Sequence, residues 1–394
     1  MLKALAIVDE TYVCDEATAL AAIRKYRPDV FVKGSDYRDF TKDVTGEILN
    51  EKRAVEEHGG ELVFTDEPVY SSSTLINRFF QNWSDPQKTT IEKIRSLGGI
   101  GAVTHALEKV AKLRILVVGE PITDIYRFCN PEGISSKSPT ISARFQYEEH
   151  YRGGSIAIAN HLREFSDEVY TDEGGNNVTK IRYISSDKYQ RVFEVTHIDE
   201  LAWKHDQIAQ SIAEFSSGID LIMLADFGHG LFEGPVLKAI GDVKGFVALN
   251  VQTNSSNFGF NPYTKHKYFD YLCLDTREAR LAEHDRHSHP LTVAHSIHDK
   301  IKRPMSLTCG ENGSYLFYGA NTHSSPAFTD QVVDATGAGD AYFAITSCLL
   351  KTEAHPDLIC FVGNVFAGLK TKIIGNKSAV SKASLLKACE AILK

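Results

Sequence analysis

The segment Asp334-Ala-Thr-Gly-Ala-Gly-Asp340 lies between the apolar run Gln331-Val-Val333 and the helix-like stretch Ala341-Tyr-Phe-Ala-Ile-Thr-Ser-Cys-Leu-Leu350. Its two glycines let the backbone turn tightly at a helix start, where unpaired N–H groups and the positive helix end favour a phosphate. A carboxylate at Asp340 is better explained as a base for an attacking hydroxyl than as a ligand of that anion. The segment therefore indicates phosphoryl transfer. An ordinary strand-to-helix turn with Asp340 as its N-cap stays open as the alternative.

Length and composition narrow the class of protein. The chain has 394 residues, 43% of them hydrophobic, and a net charge of −8, so two units or one large domain with an appendage are expected. No basic run could follow a nucleic-acid backbone or an anionic membrane, and we expect neither as a partner. The longest apolar runs have strand length and the N-terminus lacks a signal-peptide pattern, which predicts a cytoplasmic protein. Seven scattered cysteines without a CxxC pair are predicted to be non-catalytic.

Residues 113–394 alternate apolar strands with helical segments, starting at Arg114-Ile-Leu-Val-Val-Gly119. This alternation predicts an α/β domain with a largely parallel sheet and helices on both faces. Polar strand-like segments at 140–146, 180–184 and 191–195 predict a small antiparallel β flap over the site. Residues 1–78 form a partial α/β pattern, and residues 79–112 are predicted to be a helical linker.

Four further motifs precede the 334–340 segment in an order that resembles the ribokinase-like (phosphofructokinase-B type) sugar kinases. They are Gly119-Glu-Pro-Ile-Thr-Asp124, Tyr151-Arg-Gly-Gly-Ser-Ile-Ala-Ile-Ala-Asn160, Asp275-Thr-Arg-Glu278 and Thr308-Cys-Gly-Glu-Asn-Gly313. Asp275 stands where that family has Asn. Taken singly, the glycine motifs are also consistent with ordinary loops and hairpin turns.

The resemblance implies a role for each matching position, with ATP and Mg²⁺ as cofactors. The candidate catalytic residues are Gly337, Ala338, Gly339 and Asp340, whose backbone amides at 338–340 would stabilise developing charge. The candidate sugar-binding residues are Asp124, Gly153, Gly154 and Asn160. The candidate nucleotide-binding residues are Asp226, Thr308, Gly310, Gly313 and Asn364. The candidate metal-site residues are Asp275 and Glu278.

Within that family, the chain is most similar to the bifunctional heptose enzymes of lipopolysaccharide precursor synthesis. Three segments, Lys33-Gly-Ser-Asp-Tyr37, His58-Gly-Gly60 and Tyr70-Ser-Ser-Ser-Thr-Leu-Ile76, resemble the C-terminal half of their nucleotidyltransferase part. A capping role for Ser and Thr at a helix start remains an alternative. The resemblance implies D-glycero-D-manno-heptose 7-phosphate as substrate and a 1,7-bisphosphate as product.

Two departures from that resemblance shape further expectations. The His-x-Gly-His motif of the transferase is absent, so we expect no adenylyltransferase activity, and a start upstream of Met1 or a catalytically impaired remnant stays possible. Residues 167–177 are too few for a strand, a helix and a second strand. We therefore predict that the chain passes almost directly into the strand at 180–184, with a weakened core near residues 158–162. The exposed sheet edge would then favour low thermal stability and a homo-oligomer.

Overall fold

The computed structural model describes residues 7–14, 18–34, 37, 46–65, 83–171, 178–187, 190–199, 202–329 and 331–394. The chain divides into two compact units, Met1–Thr104 with Ser381–Lys394, and His105–Val380. The division at residues 78 and 112 that the sequence suggests stays a prediction.

The first unit contains a small parallel α/β element. Helix α1 (Leu20–Tyr26), strand β1 (Val30–Lys33), helix α2 (Ile48–Glu56) and strand β2 (Glu61–Phe64) follow one another, and the two strands pair in parallel. Ile23, Ala54 and Val55 form its buried core. Helix α3 (Asp85–Ser96) begins with a capping box between Ser84 and Gln87, and helix α4 (Gly99–Val110) contains the boundary between the units. The C-terminal helix Lys382–Leu393 also belongs to the first unit.

The second unit is built on an eight-stranded sheet. Its strands are β3 (Ile115–Gly119), β6 (Val169–Thr171), β9 (Leu221–Asp226), β10 (Phe246–Val251), β11 (Tyr271–Asp275), β12 (Met305–Thr308), β13 (Ser314–Tyr318) and β14 (Asn321–Ser325). Their order is β14-β13-β12-β11-β10-β9-β3-β6, and all neighbours from β12 to β6 pair in parallel. Every residue of β3 and β9 is buried, as expected for a parallel sheet covered on both faces. The predicted fold class is confirmed.

Seven helices of the described residues accompany this sheet. They are α5 (Ser155–Arg163), α6 (His205–Phe215), α7 (Gly234–Gly241), α8 (Thr276–Ala282), α9 (Pro290–Ile301), α10 (Ala338–Lys351) and α11 (Pro356–Lys370). Helix α10 begins at Ala338, inside the segment 334–340, and ten of its residues are buried. Burial of α10 fixes the position of that segment relative to the strand ends.

The second sheet of this unit has four strands, β4 (Pro121–Ile134), β5 (Ile141–Gly154), β7 (Val178–Ser185) and β8 (Gln190–Ile198). Their order is β5-β4-β7-β8. The predicted flap is therefore present, but the expectation of an antiparallel flap is wrong for its central pair, because β4 and β7 pair in parallel. After β5 the chain passes through α5 and β6 before it forms β7. This long connection lets β7 run in the same direction as β4, so the two strands pair in parallel.

The expectation for residues 167–177 is also corrected. Residues 169–171 form strand β6, which pairs in parallel with β3 at the sheet edge. Three residues are enough for a strand here, because β6 only has to pair with residues 115–117 of the short strand β3. The N–H of Ile115 also donates to the carbonyl of Glu168 at 2.8 Å. Ile158 and Leu162 are fully buried, so the core near them is not weakened as predicted.

Candidate active site

A cavity of about 270 Å³ lies in the second unit where the carboxyl ends of the parallel strands meet the four-stranded sheet. Phe227, Gln252, Asp275 and Thr308 follow or end successive strands and form one wall. In open α/β sheets ligands bind at this edge, because the loops that leave the strands converge there. The opposite wall comes from β4 and β7, with Ile122, Asp124, Lys180 and Arg182.

The residues around the start of α10 form the floor of the cavity. Gly337 has φ 77° and is the residue immediately before the helix, a conformation that favours glycine. Among the described residues, no acceptor faces the N–H groups of Gly339 and Asp340, whereas the N–H of Ala338 donates to the carbonyl of Ala335 at 3.3 Å. Two of the three predicted amides are therefore free to bind an anion.

A half-buried carboxylate and a buried ammonium group hold this segment in place. Asp334 accepts hydrogen bonds from the backbone N–H of Gly375 at 2.8 Å and pairs with Arg191 at 2.9 Å. The fully buried ammonium of Lys370 donates to the carbonyls of Thr336 at 2.8 Å and Gly375 at 2.6 Å. These contacts connect the end of α11 to the turn before α10, so the free amides are preorganised.

Asp340 has the environment of a general base. Its Oδ1 accepts a hydrogen bond from Gln252 Nε2 at 2.5 Å. Burial raises the pKa of Asp340 to about 6, while the bond from Gln252 and the charges of Lys370 and Lys180 act in the lowering direction. A carboxylate with this pKa is ionised at neutral pH and basic enough to accept a hydroxyl proton.

Asp124 lies on β4 and is nearly buried. Its Oδ1 pairs with Arg182 on β7, and Asn376 Nδ2 donates to its Oδ2 at 3.4 Å. Gly153 and Gly154 follow on the paired strand β5, and a Cβ at Gly153 would collide with the Asp124 carboxylate. Gly154 has φ 63° and would collide with the carbonyl of Glu120, so both positions require glycine.

Asp275 and Glu278 line the cavity and also cap helix α8. The Asp275 carboxylate accepts from the N–H of Glu278 at 2.7 Å, and the Glu278 carboxylate accepts from the N–H of Asp275 at 2.7 Å and of Thr253 at 3.3 Å. Burial, followed by the charge of Asp275, raises the pKa of Glu278 well above its ordinary value. A cation brought into the cavity would relieve this repulsion.

Several predicted residues do not line the cavity as the structure describes it; they are Gly153, Asn160, Asp226, Gly310, Gly313, Ala338 and Asn364. Asn160 lies on the exposed side of α5 and accepts a hydrogen bond from Arg163 at 2.9 Å. Asn364 is buried in α11, where it donates to Ser314 Oγ at 2.8 Å and to the carbonyl of Ser325 at 3.0 Å. It holds the β13–β14 hairpin against α11.

Asp226 ends β9 but points into the protein. Its carboxylate is fully buried and pairs with His266 Nε2 at 2.6 Å and Lys265 Nζ at 2.7 Å. These partners satisfy a charge that would otherwise be costly to bury, and the neighbouring Phe227 lines the cavity instead. Gly310 and Gly313 form the turn between β12 and β13, next to Thr308, which does line the cavity.

The sequence interpretation did not identify Lys180, Arg182, Gln252, Lys370 and Asn376 as site residues. One signal was available for the first two, because Lys180 and Arg182 alternate along a predicted strand and therefore point to the same face. The N-terminal segment 70–76, with its Ser and Thr residues, lies outside the described residues. No helix in the described parts of the chain is long and apolar enough to cross a membrane.

Comparison with known proteins agrees with this geometry. The family described as pfkB family carbohydrate kinase matches residues 166–382, which is more than half of the chain. The chain belongs to the pfkB family of carbohydrate kinases. It is also 23% identical over 298 residues to the "Bifunctional protein HldE" of Campylobacter jejuni (strain RM1221), a match that covers 68% of this chain and 63% of that protein. It is 22% identical over 330 residues to the protein of the same name from Trichlorobacter lovleyi, a match that covers 73% of this chain and 65% of that protein.

The chain thus spans less than two thirds of the length of these curated relatives. Solved structures with the same fold include ribokinase from Thermotoga maritima, with a TM-score of 0.52 and 14% identity over 71% of this chain and 99% of that one. A ribokinase of Arabidopsis thaliana complexed with ribose and ATP has a TM-score of 0.53 and 17% identity, covering 71% of this chain and 99% of that chain. At these identities, the similarity shows that this chain has the same fold as the two ribokinases.

Proposed function

We propose that this pfkB family kinase transfers the γ-phosphoryl group of ATP to a hydroxyl of a sugar phosphate. The main observation in support is that the Asp340 carboxylate and the free N–H groups of Gly339 and Asp340 face the same cavity. A base and an anion-binding pair of amides at the same point are what in-line phosphoryl transfer requires. We propose D-glycero-D-manno-heptose 7-phosphate as the acceptor, supported by the similarity to proteins named HldE.

The reaction then proceeds as one displacement. Asp340 accepts the proton of the acceptor hydroxyl as its oxygen forms a bond to the γ-phosphorus. The bond from that phosphorus to the bridging oxygen breaks, and its electron pair leaves with ADP. The amides of Gly339 and Asp340 stabilise the charge on the transferring group, and Asp124 positions the sugar hydroxyls. Gln252 holds the Asp340 carboxylate in one orientation.

The cavity also suits Mg²⁺ bound through nucleotide phosphates. The described residues contain no group of three or more His, Cys, Asp or Glu side chains able to hold a metal alone. Mg²⁺ commonly binds one or two carboxylates together with substrate phosphates, and Asp275 and Glu278 on the cavity wall supply such a pair. When bound, the ion would neutralise charge on the phosphates.

The test is an ADP-release screen of the unmodified chain over sugars and sugar phosphates, followed by Asp340→Asn. Loss of a general base typically lowers turnover by ~10²–10⁴-fold. We expect Asp340→Asn to lose turnover to this extent while it retains ATP binding, because the amides remain. The exposed Asp242→Asn on the same unit is the matched control and should keep wild-type turnover. Near-wild-type turnover of Asp340→Asn refutes the assignment, and no turnover of the unmodified chain with any acceptor supports a catalytically impaired remnant.

We further propose that this chain makes no nucleotide-sugar and acts as a homo-oligomer. The first proposal follows from the absent His-x-Gly-His motif. Formation of ADP-heptose from heptose 1-phosphate and ATP by this chain would disprove it. The second follows from the position of β6 as the outermost strand of the sheet, whose outer side has no strand partner among the described residues, and sedimentation of a monomer at micromolar concentration would disprove it.

A further inference from the structure

Lys180 occupies a central place on the cavity wall. It lies on β7 directly opposite Asp124 on β4 in the register of the parallel pair. Side chains two residues apart on a strand share a face, so Lys180 and Arg182 both point into the cavity. Lys180 is thus the nearest residue to Asp124 on the neighbouring strand, but Asp124 forms its ion pair with Arg182, two residues further along that strand.

The other basic groups near the cavity already have partners. Arg182 also pairs with Glu194 at 2.7 Å, Arg191 pairs with Asp334, and Lys370 donates to two backbone carbonyls. Lys180 differs from them. Among the described residues, its ammonium group forms no hydrogen bond and no ion pair, although Asp124, Glu194 and Asp340 act on it through their charges.

The surroundings of Lys180 combine burial with competing charges. Burial and the neighbouring charge of Arg182 lower the pKa of Lys180, while Glu194, Asp124 and Asp340 act in the raising direction. Lys180 is half-buried, and a half-buried cation without an ion-pair partner gains a favourable contact when an anion enters the cavity. Lys180 thus presents to the cavity an ammonium group that takes part in no ion pair within the described part of the chain.

Given the proposed function, we propose that Lys180 is a catalytic residue that binds the transferring γ-phosphoryl group. Lys180 and Asp340 line the same cavity, and the charge of Lys180 acts on the Asp340 carboxylate. The base must contact the acceptor hydroxyl, and the phosphorus must lie about 3–3.5 Å from that oxygen at the point of reaction. A cation that lines the same cavity as the base can therefore contact the transferring group. In the proposed acceptor, a 7-phosphate that becomes a 1,7-bisphosphate, the phosphate already present is attached at the other end of the carbon chain.

The role also fits lysine chemistry. An ammonium is a compact point charge on a flexible stem, so it can stay in contact with a phosphoryl group as that group moves from ADP to the acceptor. The amides of Gly339 and Asp340 are fixed in the backbone and contact the same group from the floor of the cavity. Lys180 would supply the contact from the flap side.

The experiment compares nucleotide binding without any acceptor. Calorimetry measures the affinities of ADP and of β,γ-imido ATP, both with Mg²⁺, for the unmodified chain, Lys180→Met, Lys180→Arg and the exposed control Lys244→Met. We expect Lys180→Met to keep its affinity for ADP and to lose about tenfold in affinity for the imido analogue. Lys180→Arg should retain most of that affinity, and Lys244→Met should match the unmodified chain. Retained ADP binding shows that the Lys180→Met variant is folded.

Turnover separates the possible roles of Lys180. With an acceptor that the unmodified chain phosphorylates, Lys180→Met should lower kcat by about 10²–10³-fold, the usual loss for one group that stabilises the transition state. Two results overturn the proposal: equal affinity changes for ADP and the imido analogue, or a rise in KM for a phosphorylated acceptor with unchanged kcat. The second result would assign Lys180 to the phosphate of the acceptor. Failure of the unmodified chain to phosphorylate any sugar refutes the proposed function, whereas the nucleotide comparison still tests Lys180.

Discussion

The hydrogen bond from Gln252 to Asp340 gives a sharp prediction about pH dependence. Gln252 Nε2 lies 2.5 Å from Asp340 Oδ1, and this bond opposes the effect of burial on a pKa of about 6. Gln252→Leu removes the donor and keeps a side chain of similar size. Because the ionised carboxylate loses a stabilising partner, the pKa of Asp340 should rise further, and the base should be protonated at a higher pH.

The magnitude follows from the type of bond. A hydrogen bond to a charged group is worth about 1.5–3 kcal/mol, and 1.36 kcal/mol corresponds to one pKa unit, so the pKa should rise by about 1–2 units. With a pKa of about 6, roughly nine tenths of Asp340 is ionised at pH 7. In Gln252→Leu the ionised fraction at pH 7 falls to roughly 0.1–0.5, so kcat/KM at that pH should fall by about 2–10-fold.

The assay is kcat/KM between pH 5 and 9 at constant ionic strength. The acidic limb should move to higher pH in Gln252→Leu, and activity should approach that of the unmodified chain by pH 9. The exposed Gln207→Leu on α6 is the matched control and should leave the profile unchanged. A uniform loss at every pH, with the limb in its original place, would refute the reasoning, because Gln252 would then act through position alone.

Three further predictions concern stability. Asp340→Asn should raise the free energy of unfolding at pH 8 by about 1–3 kcal/mol and change it little at pH 4. The pKa of Asp340 rises on folding, so the folded protein loses stability as the pH increases from the unfolded pKa to the folded pKa. Denaturant titrations at both pH values test this prediction. His161 is buried, with its pKa lowered to about 3 by burial and by Lys370, so stability should fall as pH drops below about 6.5, where only the unfolded chain gains the proton. His161→Leu should reduce this dependence between pH 6.5 and 4, and an unaltered slope would contradict it. His266→Ala should cost about 1.5–3 kcal/mol because it removes a hydrogen-bond partner of the buried Asp226 carboxylate, and thermal unfolding that matches the unmodified chain would count against that pairing.

Local sequence patterns correctly predict the residues at the start of α10 and the central strands of the sheet. The consecutive residues from Gly337 to Asp340 contain both the glycine needed at a positive φ and the base, so their joint position follows from the sequence alone. The buried strands β3 and β9 are uninterrupted apolar runs, a pattern that few other structures produce. The sequence does not predict strand β4, although Ile122, Tyr126 and Phe128 lie on one face of it, because Asp124 and Arg127 lower its apolar content.

Other decisions depended on chain segments that are far apart in sequence. Gln252 and Asp340 are separated by 88 positions and Arg182 and Asp124 by 58, so only the strand register and the placement of α10 bring them together. The choice of Arg182 over the directly opposite Lys180 as partner of Asp124 depends on side-chain reach across the pair, which residue type does not specify. Asp226 shows the converse, since its position at a strand end suggested a site role, while His266, 40 residues further on, holds it inside the protein. The sequence therefore determined the fold and the chemistry of one loop, and tertiary packing determined which charged groups remain free to meet a substrate.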